Sequence, residues 1–354
     1  METTALEDFH QSEETVELQK RLIEIYLRDT PPSLDAYLEV LERAYTTLAS
    51  ENPKVRPSSS AGMPGGIVQL KQNIPTIIVP DIHARIDFFL NILLSENSDG
   101  WSNLQMLAAD MLQVVCVGDG FHAEARAVER WDRAFQEYRE SYKRHRAMDE
   151  EMRESLGVME MVQEVKCAFP LNFHFLKGNH ENIRNEHEEG NYAFRKFTYE
   201  GEMVLYYMEK FYGEEFLDSY ARFEKSLPLL AVGRNFLVSH AEPMSLYDRE
   251  DIIEYRERPE VVYGLTWTAN DEAEEGSVRR MLSYYLDEEN VEEYYYFGGH
   301  RPIRDLYHLR AEGRYVQFHN PDRFIIALIQ PEGPIDLDRD ILELENNLGT
   351  YINT

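Results

Sequence analysis

The chain has 354 residues, 43% of them hydrophobic, with 22 Tyr and 17 Phe, enough for one large α/β domain plus an appendage. Its formal charge of −29 disfavours a nucleic-acid partner, because backbone contacts there need clustered Lys and Arg. Only two cysteines occur, which excludes a disulfide scaffold and a thiolate zinc site, and no apolar run is long enough to span a membrane.

The N-terminal run METTALEDFHQSEE is acidic and polar, unlike a signal or transit peptide, so a cytoplasmic protein is expected. Two helices are predicted over about 12–50, from Leu18, Leu22, Ile25 and Leu27 in the first and Leu34, Leu38, Leu41, Tyr45 and Leu48 in the second. Thr30 to Ser33 separate them, with Ser33 as N-cap, and the Pro/Ser/Gly stretch from Pro57 to Gly66 reads as a linker. Residues 1–60 are therefore expected to form a helical segment and linker ahead of a catalytic domain over 70–335, with 336–354 as a tail.

Within that domain, Thr76–Val79, Gln113–Val117, Phe173–Leu176, Phe236–Val238, Tyr294–Phe297 and Phe324–Ile329 read as buried strands. Helical stretches lie between several of them, which predicts an α/β fold. The charge-rich segment from Ala123 to Ala168 is nearly free of Gly and Pro. Its apolar positions Trp131, Phe135, Tyr138, Tyr142, Met152, Leu156 and Met159 keep a helical rhythm. They predict one long helix or a helical hairpin inserted in the domain, its stripe packed on its own domain or open to a protein partner.

Five short signals stand at or just after these strands: Asp81-Ile-His83, Gly118-Asp119, Gly178-Asn179-His180-Glu181, His240 and Gly298-Gly299-His300. In α/β proteins, residues just past the carboxyl ends of strands converge on one crevice. Carboxylate and amide oxygens with imidazole nitrogens suit Mn, Fe or Zn, and one central carboxylate can bridge two ions. Such a pair activates water and polarises a phosphoryl oxygen. His10, His174, His187, His308 and His319 have no strand-end partners by this reading and are expected to be structural or solvent-exposed.

In this order the motifs resemble the calcineurin-like metallophosphoesterases, closest to the phosphoprotein phosphatase (serine/threonine phosphatase) branch, over about residues 74–330. Asp81-Ile-His83-Ala-Arg-Ile-Asp87 is similar to the family's first motif. Phe223 to Ala231 with Phe236 to His240 resembles the stretch leading into its conserved His. Arg258-Pro259, Leu265-Thr-Trp267 and Gly299-His300 resemble its later elements. Pro302, two past His300, stands where many other metallophosphoesterases carry a second His, which favours this branch. The resemblance implies a four-layer αββα sandwich and two divalent metal ions. Asp81 and His83 would hold the first, Asp119 would bridge, and Asn179, His240 and His300 would hold the second. His180 would be the general acid and Arg258 a phosphate clamp, acting on a phosphorylated protein.

The chain also departs from the family pattern. His122 replaces the carboxylate that orients the general acid, and Ala123 replaces a phosphate-binding Arg that Arg126 could supply in its place. His240-Ala-Glu replaces His-Gly-Gly, and Arg301 replaces a Thr. Two other readings stay open: a hydrolase of small phosphoesters or dinucleoside polyphosphates, and a metal-bearing binding protein that has lost catalysis.

Overall fold

The computed structural model describes residues 12–352, so most of the polar N-terminal run, His10 included, lies outside the described residues. The strands are β1 (Ile67–Gln69), β2 (Thr76–Val79), β3 (Gln113–Cys116), β4 (Phe173–Phe175), β5 (Leu230–Val232), β6 (Phe236–Val238), β7 (Tyr295–Gly298), β8 (His308–Arg310), β9 (Tyr315–Gln317), β10 (Ile325–Ile329) and β11 (Ile341–Glu343). They form two sheets, in the orders β11-β10-β2-β3-β4 and β1-β5-β6-β7-β9-β8.

Side chains alternate across a strand, and here each alternation sorts residues into different cores. From β2 and β3, Ile78 and Val115 face the second sheet and meet Val238, Phe297 and Val316. Ile77, Val79, Val114 and Cys116 point the other way, into a core shared with helices. On the far side of the second sheet, Ile67, Leu230, Leu237 and Tyr296 join Val261, Leu265 and Met281 of another helical layer. Helix, sheet, sheet, helix is the four-layer αββα sandwich expected from the resemblance.

Strands β2, β3 and β4 run parallel, as do β6, β7 and β9. Each group delivers its following loops to one edge of its sheet, and the two edges meet where Asp119 Oδ2, after β3, lies 3.3 Å from His240 Nε2, after β6. This is the element-level reason why motifs far apart in the chain meet.

Helices α1 (Glu13–Leu27) and α2 (Leu34–Ala49) precede the first strand, and α3 (Ile86–Leu94) follows β2. The insertion is a hairpin of α4 (Val128–Arg139) and α5 (Arg146–Ala168), broken where Ser141 and Tyr142 adopt positive φ. Its stripe is covered from within the chain: Trp131, Met152, Leu156 and Met159 share one core with Leu18, Leu22, Tyr37 and Leu41 of α1 and α2. Arg28–Glu160 and Arg43–Glu164, each 2.6 Å, flank that contact. Buried Glu51 lies between Arg56 at 2.7 Å and Lys166 at 2.5 Å, tying the end of α2 to the end of α5. Burial opposes the Glu51 charge, but Lys166 and Arg56 overcome it and hold its pKa at about 2. At the other end of the chain, β11 pairs antiparallel with β10, Ile325 opposite Glu343. The sheet thus continues past residue 335, where the sequence reading placed a tail.

Candidate metal centre

The loops after β2 and β3 are laced together. Backbone N–H groups of Ile82 and His83 donate to the Asp119 carbonyl at 3.2 and 2.7 Å, and Ala84 donates to Gly120 at 2.8 Å. The buried Glu181 carboxylate accepts from the N–H groups of Asp119 and Gly120 at 2.9 Å and of Gly178 at 2.6 Å, which joins the third loop to them. The backbone is strained here: His83, Ala84, Asp119, His122 and His300 all take positive φ between 46° and 64°. Such conformations cost energy in residues with a Cβ and cluster at functional sites. Gly299 also presses so closely on Asp81 that a Cβ there would collide with its carboxylate.

Hydrogen bonds fix which atoms are left over. Asp119 Oδ1 accepts from the His180 N–H at 2.9 Å, leaving Oδ2 to face His240 Nε2 at 3.3 Å and the Nε2 atoms of His83 and His180, each at 3.7 Å. Asp81 Oδ1 accepts from the His300 N–H at 3.2 Å, whereas Asp81 Oδ2 is buried with no hydrogen-bond partner. His83 Nδ1 lies 3.3 and 3.1 Å from the carbonyls of Phe121 and His122, and His240 Nδ1 lies 3.2 Å from that of Val117. Carbonyls only accept, so both rings carry their proton on Nδ1 and turn a bare Nε2 inward. That of His240 is 2.9 Å from Asn179 Oδ1, which is also 2.9 Å from His300 Nδ1.

The result is two neighbouring clusters of inward-facing ligand atoms. In one, His83 Nε2 lies 3.9 Å from Asp81 Oδ2 and 3.7 Å from Asp119 Oδ2; in the other, His240 Nε2 lies 3.3 Å from Asp119 Oδ2 beside Asn179 and His300, with Asp119 common to both. Burial, then His300 and His83, holds the His240 pKa well below its usual range, so it does not relieve the crowding by taking a second proton. Asp119 is pushed well above the carboxylate range by burial, then by Glu181 and Asp81, as expected where negative charge lacks a counter-ion. Buried carboxylates and imidazoles crowded together without a counter-charge suit a cation. The oxygen and imidazole donors present fit Mn, Fe or Zn.

His180 stands at the rim of this cluster under Phe194, whose ring centroid is 3.8 Å away. Its Nδ1 is 2.9 Å from His122 Nδ1, so His122 does occupy the orienting position. Burial, then His83 and His122, lowers the His180 pKa well below its usual value, and burial and His83 bring His122 to about 3.

The two arginines singled out in the sequence are not brought to this cleft. Arg258 sits at the start of α6 (Pro259–Thr266), its N–H donating to Tyr255 at 3.0 Å and its side chain 47% exposed near Asp251. Arg126 is held by the insertion, donating to Glu154 at 2.8 Å and to the Ala84 carbonyl at 2.9 Å. The cations that line the cleft of about 200 Å³ are Arg195, Lys196 and Arg301.

His319, expected to be structural or exposed for want of a strand-end partner, is fully buried and has one, with its ring 5.2 Å from that of His83 and Nδ1 3.9 Å from Asp81 Oδ2. It follows β9, a three-residue strand missing from the sequence reading. The apolar run Tyr315-Val-Gln-Phe318 directly before His319 was the available signal. Glu124, also missed, accepts from His319 Nε2 at 3.0 Å and pairs with Lys196. Burial opposes its charge, but His83 and His319 hold it well below the usual carboxylate range.

No protein-family model matches the chain, and no curated protein matches it. Among solved structures, a protein serine/threonine phosphatase from Saccharomyces cerevisiae with similarity to human phosphatase PP5 superposes with a TM-score of 0.55 at 13% identity, covering 88% of this chain and 89% of that one. A cold-active protein-tyrosine phosphatase of a psychrophilic Shewanella species gives a TM-score of 0.42 at 15% identity, over 79% of this chain and 82% of that one. The first of these shows that the α/β sandwich is a fold used by a serine/threonine phosphatase.

Proposed function

We propose that this chain is a two-metal phosphoester hydrolase, most specifically a protein phosphatase of the serine/threonine type. The observation that carries the reading is the pair of ligand-atom clusters sharing Asp119 Oδ2 at one edge of a fold that a serine/threonine phosphatase also uses. Two divalent ions bound there would supply a metal-activated water as nucleophile and would polarise the phosphoryl oxygens. The chain's own residues do the rest. Asp81 and His83 would hold one ion, Asn179, His240 and His300 the other, and Asp119 would be shared by both. Arg301, Arg195 and Lys196 set positive charge at the mouth of an otherwise acidic protein, where a phosphate dianion must enter.

His180 faces the same cleft and is the candidate to protonate the departing oxygen. The cleft of about 200 Å³ is smaller than the 300–1,000 Å³ typical of sites for drug-sized ligands. It suits a phosphoryl group on an extended side chain better than a dinucleoside polyphosphate.

The test joins metal content to turnover. Purified protein equilibrated with excess Mn should hold close to two ions per chain and release phosphate from phosphoserine peptides faster than it cleaves dinucleoside polyphosphates. Asp119→Asn should abolish turnover, because the charge shared by both positions is lost. Near-normal activity in that variant would sink the proposal.

A further inference from the structure

We propose that His319 is an additional ligand of the first metal position, with Glu124 fixing its tautomer, so that two imidazoles and two carboxylates (His83, His319, Asp81 and Asp119) hold that ion. The inference rests on the two-metal reading above and adds a ligand that neither the motif spacing nor the resemblance supplies.

The argument starts from the ring of His319, which is fully buried. Its Nε2 is 3.0 Å from Glu124 Oε2, and an ionised carboxylate only accepts, so Nε2 carries the proton. Nδ1 is then a bare lone pair. It has no hydrogen-bond partner among the described residues and faces Asp81 Oδ2, which has none either. Two buried acceptors turned toward each other repel, and each forfeits the hydrogen bonds it would make in water.

Distance decides what relieves them. At 3.9 Å the pair is too far apart for a hydrogen bond. It is a span two ligands can take across one ion bound at about 2.0–2.2 Å to each. His83 Nε2, bare by the same reasoning, is also 3.9 Å from that oxygen. Metal-bound imidazoles commonly donate their other N–H to a carboxylate, which orients the ring and raises its basicity. Glu124 does this for His319, and Lys196, which lines the same cleft, pairs with Glu124.

The experiment measures metal rather than rate. The full chain is stripped with a chelator, then titrated with Mn by equilibrium dialysis, and separately loaded with Co to read its visible absorption bands. Wild type should bind two ions. His319→Ala should weaken one of the two by tenfold or more and change the Co spectrum. Glu124→Gln, which keeps the ring, should weaken the same site by about 10–100-fold. His240→Ala should weaken the other.

If wild type binds two ions and His319→Ala binds both with unchanged affinity and spectrum, His319 is not a ligand, while the two-metal reading stands. If wild type binds none, that reading falls and takes this inference with it. Should His319→Ala fail to fold, Glu124→Gln decides alone: unchanged affinity at both sites overturns the proposal.

Discussion

The phosphate-clamp role that the motif reading gives Arg258 fits Arg301 better. Arg258 stands at a helix start, half exposed and outside the cleft, whereas Arg301 lines it one residue after His300. A guanidinium stabilises a transferring phosphoryl group only where it reaches the oxygens in a partly desolvated site. Arg301→Ala should therefore lower kcat/KM on a phosphopeptide by roughly tenfold to a hundredfold. Arg258→Ala should leave it within about twofold at unchanged metal content. The reverse ranking would restore the role implied by the Arg-Pro motif. The same residue-level logic applies to His180, whose ring partner is an imidazole at 2.9 Å instead of a carboxylate. An imidazole supplies no negative charge to favour the protonated form, and burial with His83 already disfavours it. Aryl phosphates leave with little protonation, while alkyl phosphates need more. His180→Ala should slow an alkyl phosphate far more than an aryl one, and His122→Asp should raise the alkyl-to-aryl rate ratio. Equal slowing of both substrates by His180→Ala would remove it as the leaving-group acid.

At the scale of elements, strands lying in unbroken apolar runs were legible and several three-residue strands were not. Thr76–Val79 and Phe236–Val238 coincide with β2 and β6, because an unbroken buried run bounded by polar residues has few other readings. β4 and β6 have only three residues but lie in such runs, whereas β1, β5, β8, β9 and β11, also of three residues each, are too short to show a period and went unread. Missing β9 hid His319, since strand-end placement was the rule that found the other site residues. The helical hairpin was visible from its stripe, but what covers the stripe was not, because α1 and α2 lie about 100 residues upstream. The buried Glu51–Lys166 pair is where those elements lock. Lys166 Nζ also donates to the carbonyls of Pro170 and Phe173 at 2.9 Å, so it joins the linker, the end of α5 and the start of β4. Lys166→Met would leave part of the Glu51 charge and both carbonyls unpaired. It should cost about 3–5 kcal/mol in urea unfolding. A loss under about 1 kcal/mol would mean that water or Arg56 replaces the ammonium.

Across the whole molecule, buried titratable groups pull stability in opposite directions as pH changes. Burial pushes the Glu224 carboxyl up to about 8 despite Lys177 nearby, so the folded state holds a proton that the unfolded chain gives up. That contribution is present at low pH and is lost as pH rises. His174 acts the other way. Burial, then Lys166, lowers its pKa to about 3, so between pH 6.5 and 3 the unfolded chain binds a proton that the folded state refuses. Stability from this group therefore falls as pH drops below the unfolded value near 6.5. The slope is about 1.4 kcal/mol per pH unit, or about 2 kcal/mol between pH 6.5 and 5. Because groups of both kinds coexist, the total stability curve does not isolate either one, but a variant compared with wild type does. His174→Asn removes the titration and keeps a small polar side chain. Whatever its stability at pH 7, it should gain about 2 kcal/mol relative to wild type on going to pH 5. The measurement is urea unfolding of both proteins at the two pH values in the same buffer strength. A difference that stays constant with pH would show that His174 protonates freely in the folded chain, and that the pocket beside Lys166 admits a second positive charge.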